Sequence, residues 1–398
     1  MSAPPAGADD RLAALARAMA DPEHPTKVET AAWARTHLGR GDRVEADAAS
    51  RFALDDWERC AERGLLRLLV PASMGGAGDD LADALLTLEG LGLGCADNGL
   101  TYAVASQLLS SQVALTRFGT PEQIERWLPG WMAGTSFASF AMTEPGSGSD
   151  AFALSTTARR LDDGSYRLDG HKAYVTFAPV CDVSIVFAST RPDAGSWGIT
   201  AFLVDTSLPG VERGDVRPKM GMRTTPFGDL RLDGVVVGPD AVLGREGAGA
   251  SIFGAVLDVE RSYVFATQVG AMERQLDESI AYARERHQGG RPIGAHQAVA
   301  HRIVAMKERH ERARLFLYRA AMAEVTGRDV PMWASLAKIV AAEVGIGAAL
   351  DASMVQGARG YLSEFEIERS VRDAIGGLTY SGTPDVLRNV VARHLGVG

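Results

Sequence analysis

The strongest constraint on this chain is that its texture changes twice along 398 residues. Up to about Trp131 the pattern is helical: Leu12, Leu15, Ala16 and Met19 recur at i, i+3, i+4 and i+7, and a second run resumes at Asp80 after the glycines at 75, 76 and 78. Between Ser136 and about Leu243 the residues become β-branched, aromatic and alternating (SIVFA at 184–188, ITAFLV at 199–204), with turn signals at 162–164 and 208–210. From Gly247 long helical patterns return over 249–286, 296–327 and 333–356, and a shorter one over 384–395, with brief Gly-rich links that argue for a bundle. The expected class is α+β: a disordered tail at 1–10, an N-terminal helical domain at 11–135, a β domain (sandwich or barrel) at 136–245 and a C-terminal helical bundle at 246–398.

Composition narrows the function. The net charge of −9, with no run of Lys and Arg, argues against a nucleic-acid surface. Cys60, Cys95 and Cys181 are far apart and off metal-type spacing, which points to a reducing, cytoplasmic setting. The eight histidines form no cluster, so no metal is expected. The N-terminus lacks the charged and apolar regions of a signal peptide, and no apolar run is expected to reach the ~18 to 20 residues of a membrane span.

Chemistry concentrates in two stretches. Residues 140–150 (FAMTEPGSGSD) begin as an apolar strand and break at Pro145 into a loop of hydroxyls and unhindered backbone N–H groups, a composition that suits a phosphate or a polar ring edge. Residues 170–176 (GHKAYVT) alternate so that Tyr174 and Thr176 share a face, an aromatic plane beside a hydroxyl on which a flat heteroaromatic cofactor can rest. Two helix starts are also legible. Thr120-Pro121 with Gln123 makes a capping box, and Thr383-Pro384 makes an N-cap followed by proline.

TEPGSGSD followed by GHKAYVT resembles the flavin-binding signature of the acyl-CoA dehydrogenases. Ordered blocks at 118–129, 220–244, 257–261 and 371–393 extend the resemblance from about Ala31 to the C-terminus. The resemblance implies FAD between the β domain and the C-terminal bundle, with an acyl thioester against the flavin. Phe140, Met142, Thr143, Gly148 and Ser149 would contact the cofactor, and Tyr174 and Thr176 would lie near its reactive edge. Arg286 and Gln297 would reach the FAD of a neighbouring subunit, which implies a homodimer or homotetramer. Gln288 and Gly289 replace the family's usual Thr and Phe there, and Met354 and Ala358 depart from its usual Gln and Gly. Thr383 and Asp385 would serve the adenosine end, and Ser149, Arg261, Tyr380 and Gly382 the substrate.

The sharpest departure concerns the base. Most members carry a glutamate where this chain has Ser381, and a serine cannot remove an α-proton unaided. A minority place the glutamate just before an arginine on the first long C-terminal helix, which corresponds here to Glu260-Arg261. Glu260 lies four residues after Val256 and three before Tyr263, so a carboxylate sits on an apolar helix face, where poor solvation raises a pKa toward neutrality. Asp258 is turned ~200° away. The resemblance then implies that Glu260 takes the α-proton while flavin N5 takes the β-hydride, and that the Ser381 backbone N–H binds the thioester carbonyl. The product would be a trans-2-enoyl thioester of CoA or an acyl-carrier protein, with electrons leaving to an electron-transfer flavoprotein. A flavin monooxygenase on the same scaffold and a non-catalytic subunit of a hetero-oligomer are the alternatives.

Overall fold

A computed structural model describes residues 7–397 apart from 40 and 79. Its N-terminal part comprises α1 (Ala8–Ala20), α2 (Pro25–His37), α3 (Arg43–Ala48), α4 (Leu54–Glu62), α5 (Leu81–Gly94), α6 (Asn98–Ser106), α7 (Val113–Phe118) and α8 (Pro121–Met132). Residues 1–6 of the expected tail lie outside the described residues. Residues 8–10 do not belong to a tail, because α1 has begun by then.

α5 is the buried centre of this layer. Asp80 caps it by accepting from the backbone N–H groups of Ala82 and Asp83, and nearly every residue after that is buried. Glycines bring it against the C-terminal helices at backbone distance. A Cβ added to Gly92 would stand 1.8 Å from Thr267 O, and one on Gly270 would stand 1.9 Å from Glu89 O. Buried Glu89 accepts from Arg314 Nε at 2.8 Å, which adds a polar tie between the two helical layers. Between α6 and α7 the helix widens into a π turn at Gln107–Gln112, a local geometry that re-aims side chains and recurs at functional sites.

The β domain is one eight-stranded sheet: β1 (Ala138–Ala141), β2 (Thr157–Arg160), β3 (Tyr166–Thr176), β4 (Val183–Ser189), β5 (Ile199–Asp205), β6 (Val211–Arg213), β7 (Phe227–Val237) and β8 (Val242–Leu243). The order is β6-β7-β3-β2-β4-β5-β8, and β1 pairs in parallel with β4. Side chains from β3 and β7 (Tyr166, Leu168, Leu232, Val235) meet those from β4 and β5 (Val186, Ala188, Phe202, Val204) in one core, so the sheet curls over itself. The capping-box glutamine joins this domain to the helices, since Gln123 Nε2 donates to Asp240 O and Val242 O as well as lying within the box at Thr120.

The C-terminal part comprises α9 (Gly249–Tyr263), α10 (Ala266–Glu285), the hairpin β9 (His287–Gln288) and β10 (Arg291–Pro292), then α11 (Gln297–Thr326), α12 (Val330–Gln356), α13 (Ile367–Gly376) and α14 (Pro384–His394). Two expectations need correction. The helix read over 249–286 is two helices, broken at Val264 and Phe265 immediately after the Glu260 turn. α12 and the turn after it are long and apolar enough to cross a membrane by length and composition, contrary to the sequence reading. Most of that stretch is nevertheless buried, with α12 packed against α10, α11, α13 and α14.

The close approach of α5 to α10 gives a direct test. Gly92→Ala will lower the unfolding free energy by at least ~1–3 kcal/mol in denaturant melts, because its methyl has no space until the helices part. A variant as stable as the parent would contradict this packing.

Candidate active site

The two signature stretches meet through a buried ion pair. Lys172 Nζ donates to Glu144 Oε1 at 2.8 Å and to Met142 O at 3.0 Å, and Ala173 N donates to Thr143 O at 2.9 Å. Glu144 also accepts from Ser155 N, Ser155 Oγ and Thr156 N. Burial alone would raise the Glu144 carboxyl, but Lys172 and these donors outweigh it and bring it down to about 2. Burial brings Lys172 down to about 8 against the pull of Glu144.

The two displacements act in opposite directions on stability at neutral pH: the depressed carboxyl stabilises the fold and the depressed ammonium opposes it. The pair therefore fixes geometry more than it adds net stability.

Beside this pair β3 changes shape. Register with β7 shifts between Lys172 and Val175, and Tyr174 adopts φ +60° at that bulge, a strained conformation for an aromatic residue. Lys172 thus points into the core while Tyr174 swings out. The Tyr174 ring stacks on Phe227 with the Arg217 guanidinium 5.5 Å from its centroid, and Asp229 holds Arg217 through Nε and Nη2.

The loop after Glu144 is held closed by paired backbone bonds between Glu144 and Ser147. A Cβ added to Gly146 or Gly148 would meet nothing within 4 Å, and Gly148 and Ser149 are exposed. Packing within the protein does not demand glycine there, so the open face fits a ligand that needs unhindered N–H groups. Phe140 stacks on Phe253 at 6.0 Å with 10° between their planes. Phe253 precedes Glu260 by two helical turns on the same face of α9. The Met142 side chain is in the core, which leaves only its backbone to face a cofactor.

Glu260 is buried and held by two hydroxyls. Ser381 Oγ donates to Oε1 at 2.5 Å and Ser110 Oγ donates to Oε2 at 2.9 Å. The apolar face expected from the sequence is therefore a polar notch in an apolar wall, with hydroxyls in place of the water that burial removes. Ser381 adopts φ +56°, and Arg261 Nε donates to its carbonyl at 3.0 Å. Its own N–H finds no acceptor among the described residues. Sequence reasoning gave Ser381 only a backbone role, and the structure adds its side chain.

Tyr380 and Tyr102 stand beside this group with ring centroids 4.9 Å apart. Burial lifts the Tyr102 phenol far above its ordinary range, with the Glu260 charge adding to the effect, and burial, Tyr102 and Glu260 do the same to Tyr380. Neither phenol is available as an anionic base. Thr176 is among the groups that act on the Tyr102 hydroxyl, which links the β3 motif to the Glu260 site. Asp258 faces Arg261, Glu324 and Arg117.

Thr143, Lys172, Thr176, Tyr380, Ser381, Arg261 and Glu260 are thus joined through a chain of contacts. Gly382, at φ +92°, completes the turn, and Thr383 caps α14 by accepting from Val386 N. Asp385 is exposed and paired with Arg388. Arg286 and Gln297 are exposed at the β9–β10 hairpin and the start of α11, where they touch none of the groups above among the described residues.

Comparison with known proteins decides the family. The acyl-CoA dehydrogenase N-terminal, middle and C-terminal domain models match residues 26–135, 139–235 and 247–396. The chain belongs to the acyl-CoA dehydrogenase family. It is 38% identical over 344 residues to the L-prolyl-[peptidyl-carrier protein] dehydrogenase of Pseudomonas fluorescens, covering 86% of this chain and 90% of that one. Among solved structures it is similar to the prolyl acyl carrier protein oxidase AnaB (TM-score 0.90, 38% identity, 93% and 98% coverage). It is also similar to PigA with FAD and proline (TM-score 0.89, 31% identity, 94% and 97% coverage). As a member of this family, the chain is an FAD-dependent oxidoreductase that dehydrogenates acyl thioesters.

The ion pair between the two signature stretches is open to direct test. Lys172→Met will strand the Glu144 charge and cost ~3–5 kcal/mol in denaturant unfolding at neutral pH. In the parent, the stability contributed by Glu144 is present above its unfolded value of 4.5 and is lost as pH falls toward about 2. A neutral-pH cost below ~1 kcal/mol would contradict the assignment.

Proposed function

We propose that Glu260 is the base of this dehydrogenase and that its substrate is a short acyl group carried as a thioester on a carrier protein. The observation that carries the base assignment is the pair of hydroxyls, Ser110 and Ser381, that hold a buried carboxylate beside a free backbone N–H. Ser381 N–H donates to the thioester carbonyl and stabilises the negative charge that grows on it as the α-proton leaves. Glu260 takes that proton, and Ser110 and Ser381 keep both of its oxygens in place. Arg261 pins the turn by its bond to Ser381 O. FAD held along the residues named below would supply the acceptor for the β-hydrogen, which leaves as hydride, and the product would be the trans-2-enoyl thioester.

The cofactor would lie along Phe140, Thr143, Gly148, Ser149, Tyr174 and Thr176, with the Met142 backbone beside it and Thr383 and Asp385 at the adenosine end. Arg286 and Gln297 would reach the FAD of a second copy, which makes the protein a homodimer or homotetramer. The carrier-bound substrate is supported by the names of the relatives at 38% identity, and the short acyl group by the small cavity beyond Tyr102 and Tyr380. Electrons pass to an electron-transfer flavoprotein, and the three buried free cysteines suit a cytoplasmic setting.

The test is anaerobic titration of the FAD-loaded protein with prolyl-carrier, short acyl-carrier and short acyl-CoA thioesters, following the flavin absorbance. Carrier thioesters will bleach it. Glu260→Gln will retain FAD and bleach at least ~10²-fold more slowly. Ser381→Ala will fall between the two at ~10-fold, because it removes one charge-assisted bond and leaves the backbone donor. Bleaching of Glu260→Gln at the parent rate would overturn the base assignment. Bleaching by CoA thioesters alone would overturn the carrier.

A further inference from the structure

The small cavity beside Tyr102 and Tyr380, about 30 Å³ in volume, lies between α6, α10, α12 and α13. That volume takes roughly two water-sized groups. Its walls include Val264, Ala271, Met272 and Met222, as an acyl pocket requires, but α10 also presents Thr267, Gln268 and Gln275 to it. Gln275 is more than nine-tenths buried, and its Oε1 has no hydrogen-bond partner. Gln268 Nε2 is buried without a partner as well.

Unpaired buried amide atoms cost ~1–3 kcal/mol each, so two on one small cavity require an explanation. Neighbouring polar groups do not supply the partners. Asp373 is occupied by Asn98 Nδ2 and Met222 N, and Asn98 Oδ1 by Arg274 Nη2. Space has been left for the Gln268 amide, since a Cβ on Gly345 would stand 2.1 Å from its Nε2.

We propose that this cavity binds the neutral hydrogen-bonding end of a short acyl chain, with a hydroxyl as the simplest fit, and that Gln268 and Gln275 are the residues that select it. A hydroxyl there pairs with one of the two amides, donating to Gln275 Oε1 or accepting from Gln268 Nε2. A methyl group in the same place leaves both unpaired. A site built to hydrogen-bond a substrate group rejects the analogue that lacks it far more strongly than an apolar pocket rejects an extra methylene. The proposal rests on the thioester reading above, and it adds the chemistry of the acyl end.

The experiment uses the FAD-loaded protein and matched pairs of short pantetheine thioesters that differ only in a terminal methyl or hydroxyl group. Kd is measured by calorimetry, and flavin bleaching is recorded on the same samples. The hydroxyl member of the best-binding pair will bind ~10-fold more tightly or better, the equivalent of one satisfied buried hydrogen bond. Whichever of Gln275→Leu and Gln268→Met loses the pairing amide will remove or reverse that preference while retaining FAD. An equal or methyl-favouring Kd in the parent overturns the proposal and assigns the cavity to ordered water. So does a preference unchanged in both variants. Hydroxyl-selective binding without any bleaching would leave the pocket assignment standing and sink the dehydrogenase reading, so the two failures are distinguishable.

Discussion

The site depends on the contact between Glu144 and Lys172, two charges that neither residue type would bury alone. The ammonium reaches both Glu144 and Met142 O, and the register of β3 with β7 shifts directly beyond Lys172. The bulge there turns Tyr174 out of the core, and Thr176 follows on the same side of the strand, where it acts on the Tyr102 hydroxyl. The buried pair thus accompanies a specific backbone shape, and that shape sets out the face on which a planar cofactor would lie.

A second constraint brings the other half of the site. The glycines of α5 and α10 let the N-terminal helices approach the bundle at backbone distance, and α6 with its π turn rides on that contact. Ser110 comes from this turn, Glu260 from α9 and Ser381 from the turn before α14, so one carboxylate is held by hydroxyls from opposite ends of the chain. The break between α9 and α10 falls one turn beyond Glu260. It lets Val264 and the α10 glutamines line a cavity that a continuous helix would have aimed elsewhere.

Features governed by local chemistry were legible in the sequence. The Thr120 capping box and the Thr383 cap with its proline depend on neighbours a few residues apart, and the structure has them where the sequence places them, as it has strands over 184–188 and 199–204, although β4 and β5 are buried on both faces and do not alternate. Motif and spacing singled out Phe140, Tyr174 and Glu260, and the structure puts Phe140 against Phe253, Tyr174 at the β3 bulge and Glu260 buried between two hydroxyls. Ser110 was not singled out, because a serine inside a helical pattern carries no mark of a π turn or of a partner 150 residues away. The Ser381 hydroxyl was overlooked for a related reason: a residue read as a missing base hides its value as a donor to the replacement. α13 escaped notice because ten residues between glycine-rich links give a weak period, although its Asp373 helps wall the cavity. Gln268 and Gln275 were not singled out in the sequence, because polar residues in a helical pattern carry no mark of burial, and the cavity they line is closed by residues from α6, α12 and α13.

The central claim is that Glu260, held by Ser110 and Ser381, removes the α-proton. It is tested most directly by a substrate analogue that can lose this proton but has no β-hydride to give, such as a 3-thia-acyl thioester. NMR in D₂O would follow exchange of its α-hydrogens on the FAD-loaded protein. The parent will exchange them, and Glu260→Gln, with FAD retained, will exchange them at least ~10²-fold more slowly. Exchange by Glu260→Gln at the parent rate would contradict the account and require a base elsewhere.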